Sequence, residues 1–219
     1  MYPNHSTNDL LIEPLDRLLE SDGFFAATNN ELLGALENCG ELEFELMSYA
    51  WCELVRRNKQ GKILIAERIC EDRDLLPIPW LARARNCLSY LNAPPRRNYT
   101  QSVYVILRTG YESDNGYGAY VGVTAKPPEA RFREHSTPNH KRAARGLPEH
   151  AVCLLTSLMH PYVRVPGRLR LQYETATHLA LQAAGVRVSG DKQVDQRNWL
   201  PLFQPRLMKL LALNGVDLD

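Results

Sequence analysis

The first part of the chain is patterned for helices. Leu10, Leu11, Leu15, Leu18 and Leu19 recur at helical spacing behind Thr7 or Asn8, with Pro14 placed to kink the segment. Thr28 and Glu31 have capping-box spacing ahead of Leu32, Leu33 and Leu36. After a break at Gly40, Phe44, Met47, Trp51, Leu54 and Val55 continue an amphipathic pattern. Lys62 to Ile69 is short and β-branched, which suits a strand or a buried helix equally. Trp80 to Leu91 predicts one more helix, set off by Pro77 and Pro79.

Pro94-Pro95-Arg96-Arg97-Asn98 reads as a linker, because adjacent prolines cannot continue a helix. Beyond it the pattern becomes alternating. Val103, Val105 and Leu107 share one strand face, and Tyr104, Ile106 and Arg108 share the other. A turn-rich stretch from Glu112 to Gly118, containing Asp114-Asn115-Gly116, leads to a second strand from Ala119 to Thr124, so the two form a hairpin with an extended loop. In that strand Val121 and Val123 oppose Tyr120, Gly122 and Thr124, and both tyrosines project from the face the valines do not bury.

Pro127-Pro128-Glu129 is helix-start chemistry for a short helix from Ala130 to Ser136. A basic loop from Asn139 to Gly146 precedes an apolar strand over Val152 to Leu158, a long apolar helix from Leu169 to Ala184 that stops at Gly185, and a C-terminal helix over 198–213. The order β, β, α, β, α predicts an α+β fold, a small mixed or antiparallel sheet flanked by helices, preceded by a mostly helical domain. The expected divisions are an acidic helical domain at 1–95, the α+β domain at 96–190 and a helical extension at 191–219.

Composition adds little until it is divided. The 219 residues, 44% hydrophobic and 23% charged, are ordinary for a soluble globular chain. No apolar run reaches the roughly eighteen residues of a membrane span, and the opening Tyr2-Pro3-Asn4-His5 lacks the pattern of a secretory signal. Five cysteines without a CxxC pair argue against a disulfide framework and point to a reducing cytoplasm. The spacings His135 to His140 and His150 to Cys153 do not make the two close ligand pairs of structural zinc. Charge is uneven: residues 1–95 hold 9 Lys and Arg against 15 Asp and Glu, while the remainder holds 17 against 10. A basic half of this kind points to nucleic acid as a partner.

The assembled motifs resemble the GIY-YIG nuclease superfamily. Val103-Tyr104-Val105 stands where the first triplet would, Tyr120-Val121-Gly122 for the second, and Arg131-Phe132-Arg133-Glu134-His135 looks like the helix that follows. Tyr120-Val121-Gly122-Val123-Thr124, with a proline before Arg131, is similar to the structure-specific flap endonuclease branch, and Glu174 in Gln172-Tyr173-Glu174-Thr175 occupies the place of the metal-binding glutamate. The likeness spans about residues 100–190. Ser102 stands in place of a glycine, and no asparagine follows Glu174 at the family's spacing.

The resemblance implies a metal-dependent DNA endonuclease with Tyr104, Tyr120, Arg131, His135 and Glu174 as its catalytic set. Glu174 would hold Mg²⁺ or Mn²⁺, hard ions matched to carboxylate and phosphate oxygens. Arg131 offers a planar fork of donors to a phosphate, and His135, four residues along, shares its helix face. Tyr104 would act at the attacking water as base or positioner, and Tyr120 would order the site. Lys126, Arg133, Lys141, Arg142 and Arg145 would track phosphates, with Arg96 and Arg97 as outliers. Two further readings stand beside it: a degenerate member that binds nucleic acid without cutting, and a toxin or restriction effector whose residues 1–95 bind a partner or self-associate.

Overall fold

The computed structural model describes residues 26–38, 44–93, 99–159, 165–190 and 200–215. The helix expected behind Thr7 or Asn8, the break at Gly40, Cys39 and the linker with Arg96 and Arg97 lie outside these residues. The fold is α+β, and the chain divides into two compact units, Met1–Ala82 and Arg83–Asp219.

In the first unit, α1 (Asn29–Asn38), α2 (Phe44–Arg57) and α3 (Gln60–Asp72) are amphipathic helices. The capping box closes as its spacing requires: the Thr28 amide donates to Glu31 Oε2 at 2.6 Å, and the Glu31 amide donates to Thr28 Oγ1 at 3.3 Å. Leu32, Leu36, Met47, Ala50, Leu54 and Ala66 bury their side chains together. Each large one contributes roughly 1.5–3 kcal/mol of apolar transfer energy. Two buried polar side chains in this unit, Ser48 and Glu53, are matched. Ser48 donates to the Phe44 carbonyl and accepts the Ile78 amide, each at 2.9 Å. Buried Glu53 accepts from Arg56 at 2.6 Å and from Arg57 at 2.8 Å. The segment Lys62 to Ile69, open between strand and helix, is helical.

α4 (Leu81–Leu88) leads into the second unit. The sequence divides the chain near 95, whereas the compact units part after Ala82. Backbone pairing explains the difference: the Asn92 amide donates to Leu202 at 2.7 Å, the Gln204 amide donates to Tyr90 at 3.0 Å, and Leu91 bridges to Phe203. Tyr173 Oη adds a donation to the Asn92 carbonyl at 3.2 Å. These contacts come from residues more than eighty positions away along the chain, which no local pattern reports.

A five-stranded mixed sheet forms the body of this unit, in the order β3-β1-β2-β5 with β4 also on β1. Its members are β1 (Tyr99–Arg108), β2 (Gly118–Thr124), β3 (Ala151–Leu154), β4 (Val165–Pro166) and β5 (Val188–Ser189). β1 and β2 pair antiparallel, with Tyr104 opposite Gly122 and Ile106 opposite Tyr120, and β5 joins β2 in parallel. This register puts both tyrosines on one face, as the alternation predicts. The connecting loop turns through a 3₁₀ segment, Asp114–Gly116, with Asn115 left-handed at φ 58°.

α5 (Pro128–Ser136), α6 (Leu147–His150), α7 (Thr156–Met159) and α8 (Arg170–Ala183) surround the sheet, and α9 (Pro205–Leu213) packs on α8 through buried Leu207 and Leu211. The strand expected over Val152 to Leu158 stops at Leu154, because Thr156 and Ser157 turn the chain into α7. The expected C-terminal extension is thus a layer of the same unit. α8 buries ten of its residues and ends before Gly185, whose φ of 78° suits a glycine stop. No helix among the described residues is long and apolar enough to cross a membrane.

Candidate functional site

Where β1, β2, α5 and α8 meet, an open cleft of about 580 Å³ is lined by Tyr104, Tyr120, Gly122, Lys126, Arg131, Glu134, Arg142, Arg170 and Glu174, with Gln101 and Thr124 at its wall. Six residues singled out from the sequence meet here: Tyr104, Tyr120, Lys126, Arg131, Arg142 and Glu174. His135 lies one layer behind, fully buried, with Nε2 2.7 Å from Tyr104 Oη. The rings of Tyr104, Tyr120 and His135 form a triangle with centroid separations of 6.2, 5.8 and 5.3 Å. Arg133, Lys141 and Arg145 are exposed and do not line the cleft.

Tight packing at one glycine makes the triangle possible. Gly122 faces Tyr104 across the β1–β2 pair, and a Cβ built there would fall within the Tyr104 phenol and lie 3.0 Å from the Tyr120 ring. Only a residue without a side chain lets the phenol cross over its partner strand.

Glu134, Arg170 and Gln101 line the cleft although the sequence assigns them no role. Glu134 is three positions after Arg131 and accepts its Nη1 donation at 2.8 Å, and it also accepts from Lys126 Nζ. These two hydrogen bonds, Lys126 first, pull its carboxyl down to about 2. Arg170 sits one turn before Glu174 on α8, a spacing that could have flagged it. Gln101 follows no such rule, since its strand parity opposes that of Tyr104.

Burial governs the titration of the inner pair. It raises the Tyr104 phenol well above its usual range, and Tyr120 beside it pushes the same way. Burial also lowers His135 to about 4, with the Arg131 charge adding to the effect. Partial burial works against the Arg131 charge, but Glu134 and Tyr104 beside it together outweigh that effect and keep the guanidinium protonated. At neutral pH the site therefore holds a neutral phenol, a neutral imidazole and a charged guanidinium.

The depressed imidazole makes stability depend on pH. Between about 6.5, its ordinary value, and about 4, the unfolded chain binds a proton that the folded chain refuses. Stability contributed by neutral His135 is thus present above this window and lost as pH falls through it. The urea midpoint is expected to drop between roughly pH 7 and pH 5, and His135→Gln should flatten that drop. Equal slopes for the two proteins would contradict the assignment.

Glu174 is buried on α8 and is among the residues that line the cleft, with His178 and Leu181 also buried on the helix. Among the described residues no group of three or more His, Cys, Asp or Glu converges as a metal cage. With Glu134 engaged by Lys126 and Arg131, Glu174 is the lining carboxylate that could serve an ion such as Mg²⁺, which keeps several of its waters and takes one or two carboxylates plus substrate phosphate. No family model, curated protein or solved structure matches the chain.

Proposed function

We propose that the second unit is a metal-dependent DNA endonuclease that hydrolyses phosphodiesters in this cleft. The observation that carries the reading is the convergence of Tyr104, Tyr120, Arg131 and Glu174, drawn from two strands and two helices, on one cavity rimmed by Lys126, Arg142 and Arg170. Phosphodiester hydrolysis requires charge to be absorbed on the non-bridging oxygens and water to be held in line. Arg131, fixed by Glu134, presents donors to a non-bridging oxygen. Tyr104 and Tyr120 orient the reacting oxygens by hydrogen bonding. Glu174 would hold the divalent ion, which supplies Lewis acidity at the phosphate when bound. Lys126, Arg142 and Arg170 neutralise neighbouring phosphates, giving affinity without sequence choice.

Incubation of the purified chain with supercoiled plasmid and Mg²⁺ or Mn²⁺, against an EDTA control, tests the reading. Nicked or linear product only with metal is the expected result. Plasmid unchanged under every condition, but shifted in a gel, would establish the second reading of a nucleic-acid binder that does not cut. The burial of Tyr104, whose phenol resists ionisation, is the observation that favours that alternative. Binding should weaken with salt, and Arg142→Ala is expected to lower the slope of log K against log salt by about 0.9, one phosphate contact. An unchanged slope would remove Arg142 from the interface.

In the same reading, residues 1–95 bind a protein partner or a second copy. Exposed Val55, Leu64, Ile65 and Leu76 in the first unit suit such a role. A full-length chain that stays monomeric in sedimentation and retrieves no partner would dismiss it.

A further inference from the structure

We propose that the backbone amide of Ala144 sets the tautomer of His135 and thereby makes Tyr104 a hydrogen-bond donor into the cleft, so that the basic loop controls which way the phenol faces its substrate. The kinetic half of this proposal rests on the phosphodiester reading; the structural half does not.

A backbone amide can only donate. The Ala144 amide lies 3.1 Å from His135 Nδ1, so Nδ1 must present its lone pair. A neutral imidazole carries one ring proton, which this contact assigns to Nε2. Nε2 in turn stands 2.7 Å from Tyr104 Oη, so the imidazole donates and the phenol oxygen accepts. The phenol's own hydrogen is then directed away from His135, toward the cleft that Tyr104 lines with Tyr120 and Arg131. Arg131 has no acceptor, so a substrate phosphate oxygen, a water or the Tyr120 phenol must receive it.

The opposite arrangement, in which His135 takes the phenol's proton, needs the lone pair on Nε2 and the hydrogen on Nδ1. That hydrogen would meet the Ala144 N–H head-on beside a fully buried imidazole. Tyr104 is therefore built to donate to a phosphate oxygen as charge develops there, and is not prepared as the base for water. Ala144 lies in the loop that carries Lys141, Arg142 and Arg145, and Arg142 reaches the cleft. The loop that meets the substrate thus also holds the imidazole, and Ala144 acts as a positioning residue through its main chain.

Long-range ¹H–¹⁵N spectra of the full chain labelled at its six histidines, with His135 assigned through His135→Gln, test the tautomer near neutral pH. Nδ1 resonating as an unprotonated nitrogen and Nε2 as a protonated one is expected; the reverse pattern, or averaged shifts, overturns the proposal. Ala144→Pro removes the amide hydrogen and Ala144→Gly keeps it. The proline variant, if folded by circular dichroism, should show averaged nitrogens and a kcat lower by roughly threefold to tenfold at unchanged KM, the bias one neutral hydrogen bond supplies. The glycine variant should keep the wild-type nitrogen pattern. A fall in kcat with unaltered nitrogens would refute the coupling. If the proline variant does not fold, the wild-type spectrum still decides the tautomer. If the wild type cleaves nothing, the nuclease reading fails while the spectrum still decides.

Discussion

Glu174→Gln is expected to reduce metal-dependent cleavage by roughly 10²- to 10³-fold while leaving the fold in place. Glutamine matches glutamate in shape and retains a carbonyl oxygen, so the packing of α8 against β1 and β2 should survive. What disappears is the negative charge at a cleft whose other carboxylate, Glu134, already accepts from Lys126 and Arg131. With Glu134 engaged by two cations, it cannot stand in for Glu174. Rates should be measured across a Mg²⁺ titration, with thermal unfolding compared in the same buffer. A variant cleaving at the wild-type rate would sink the proposed site, and one that unfolds early would show that Glu174 is chiefly structural.

Gly122→Ala is expected to inactivate the protein at a smaller cost in stability, about 1–3 kcal/mol for overpacking a filled interior. The added methyl would displace the Tyr104 phenol, since Tyr104 is held from behind by His135 at 2.7 Å and the Tyr120 ring closes the other side. Gly122 pairs in register with Tyr104, so the strand cannot yield without shifting the ladder. Misplacing a reacting group by about 1 Å can cost on the order of 10²-fold in rate. The decisive comparison is with Tyr104→Phe/Gly122→Ala: if the phenol is the target of the clash, the single and double variants should be equally inactive. A fully active Gly122→Ala would show that the phenol has room to move and that the glycine is incidental.

The parts of the fold legible beforehand are those with local causes. Alternation in Val103 to Arg108 and Ala119 to Thr124 reports two strands because neighbouring side chains point to opposite faces. Thr28 with Glu31, Pro127-Pro128 and Gly185 mark helix ends because orphan amides and carbonyls, fixed φ and left-handed turns have local chemical solutions. β4 and β5 were missed because each has only two residues, too few for any periodicity, and exists only where β1 and β2 offer an edge.

The sequence by itself determined the α+β class, the shared face of Tyr104 and Tyr120, the single helix bearing Arg131 and His135, and the uneven charge, since all follow from spacing or composition. Only the tertiary structure decided the rest. It engaged Glu134 between Lys126 and Arg131, drew Arg170 and Gln101 to the cleft and left Arg133, Lys141 and Arg145 outside. It also laid the Ala144 amide on His135. Hydrogen bonds and desolvation depend on which groups the folded chain brings within a few ångströms. The proton on an imidazole is therefore a property of its surroundings, here a loop nine residues further on.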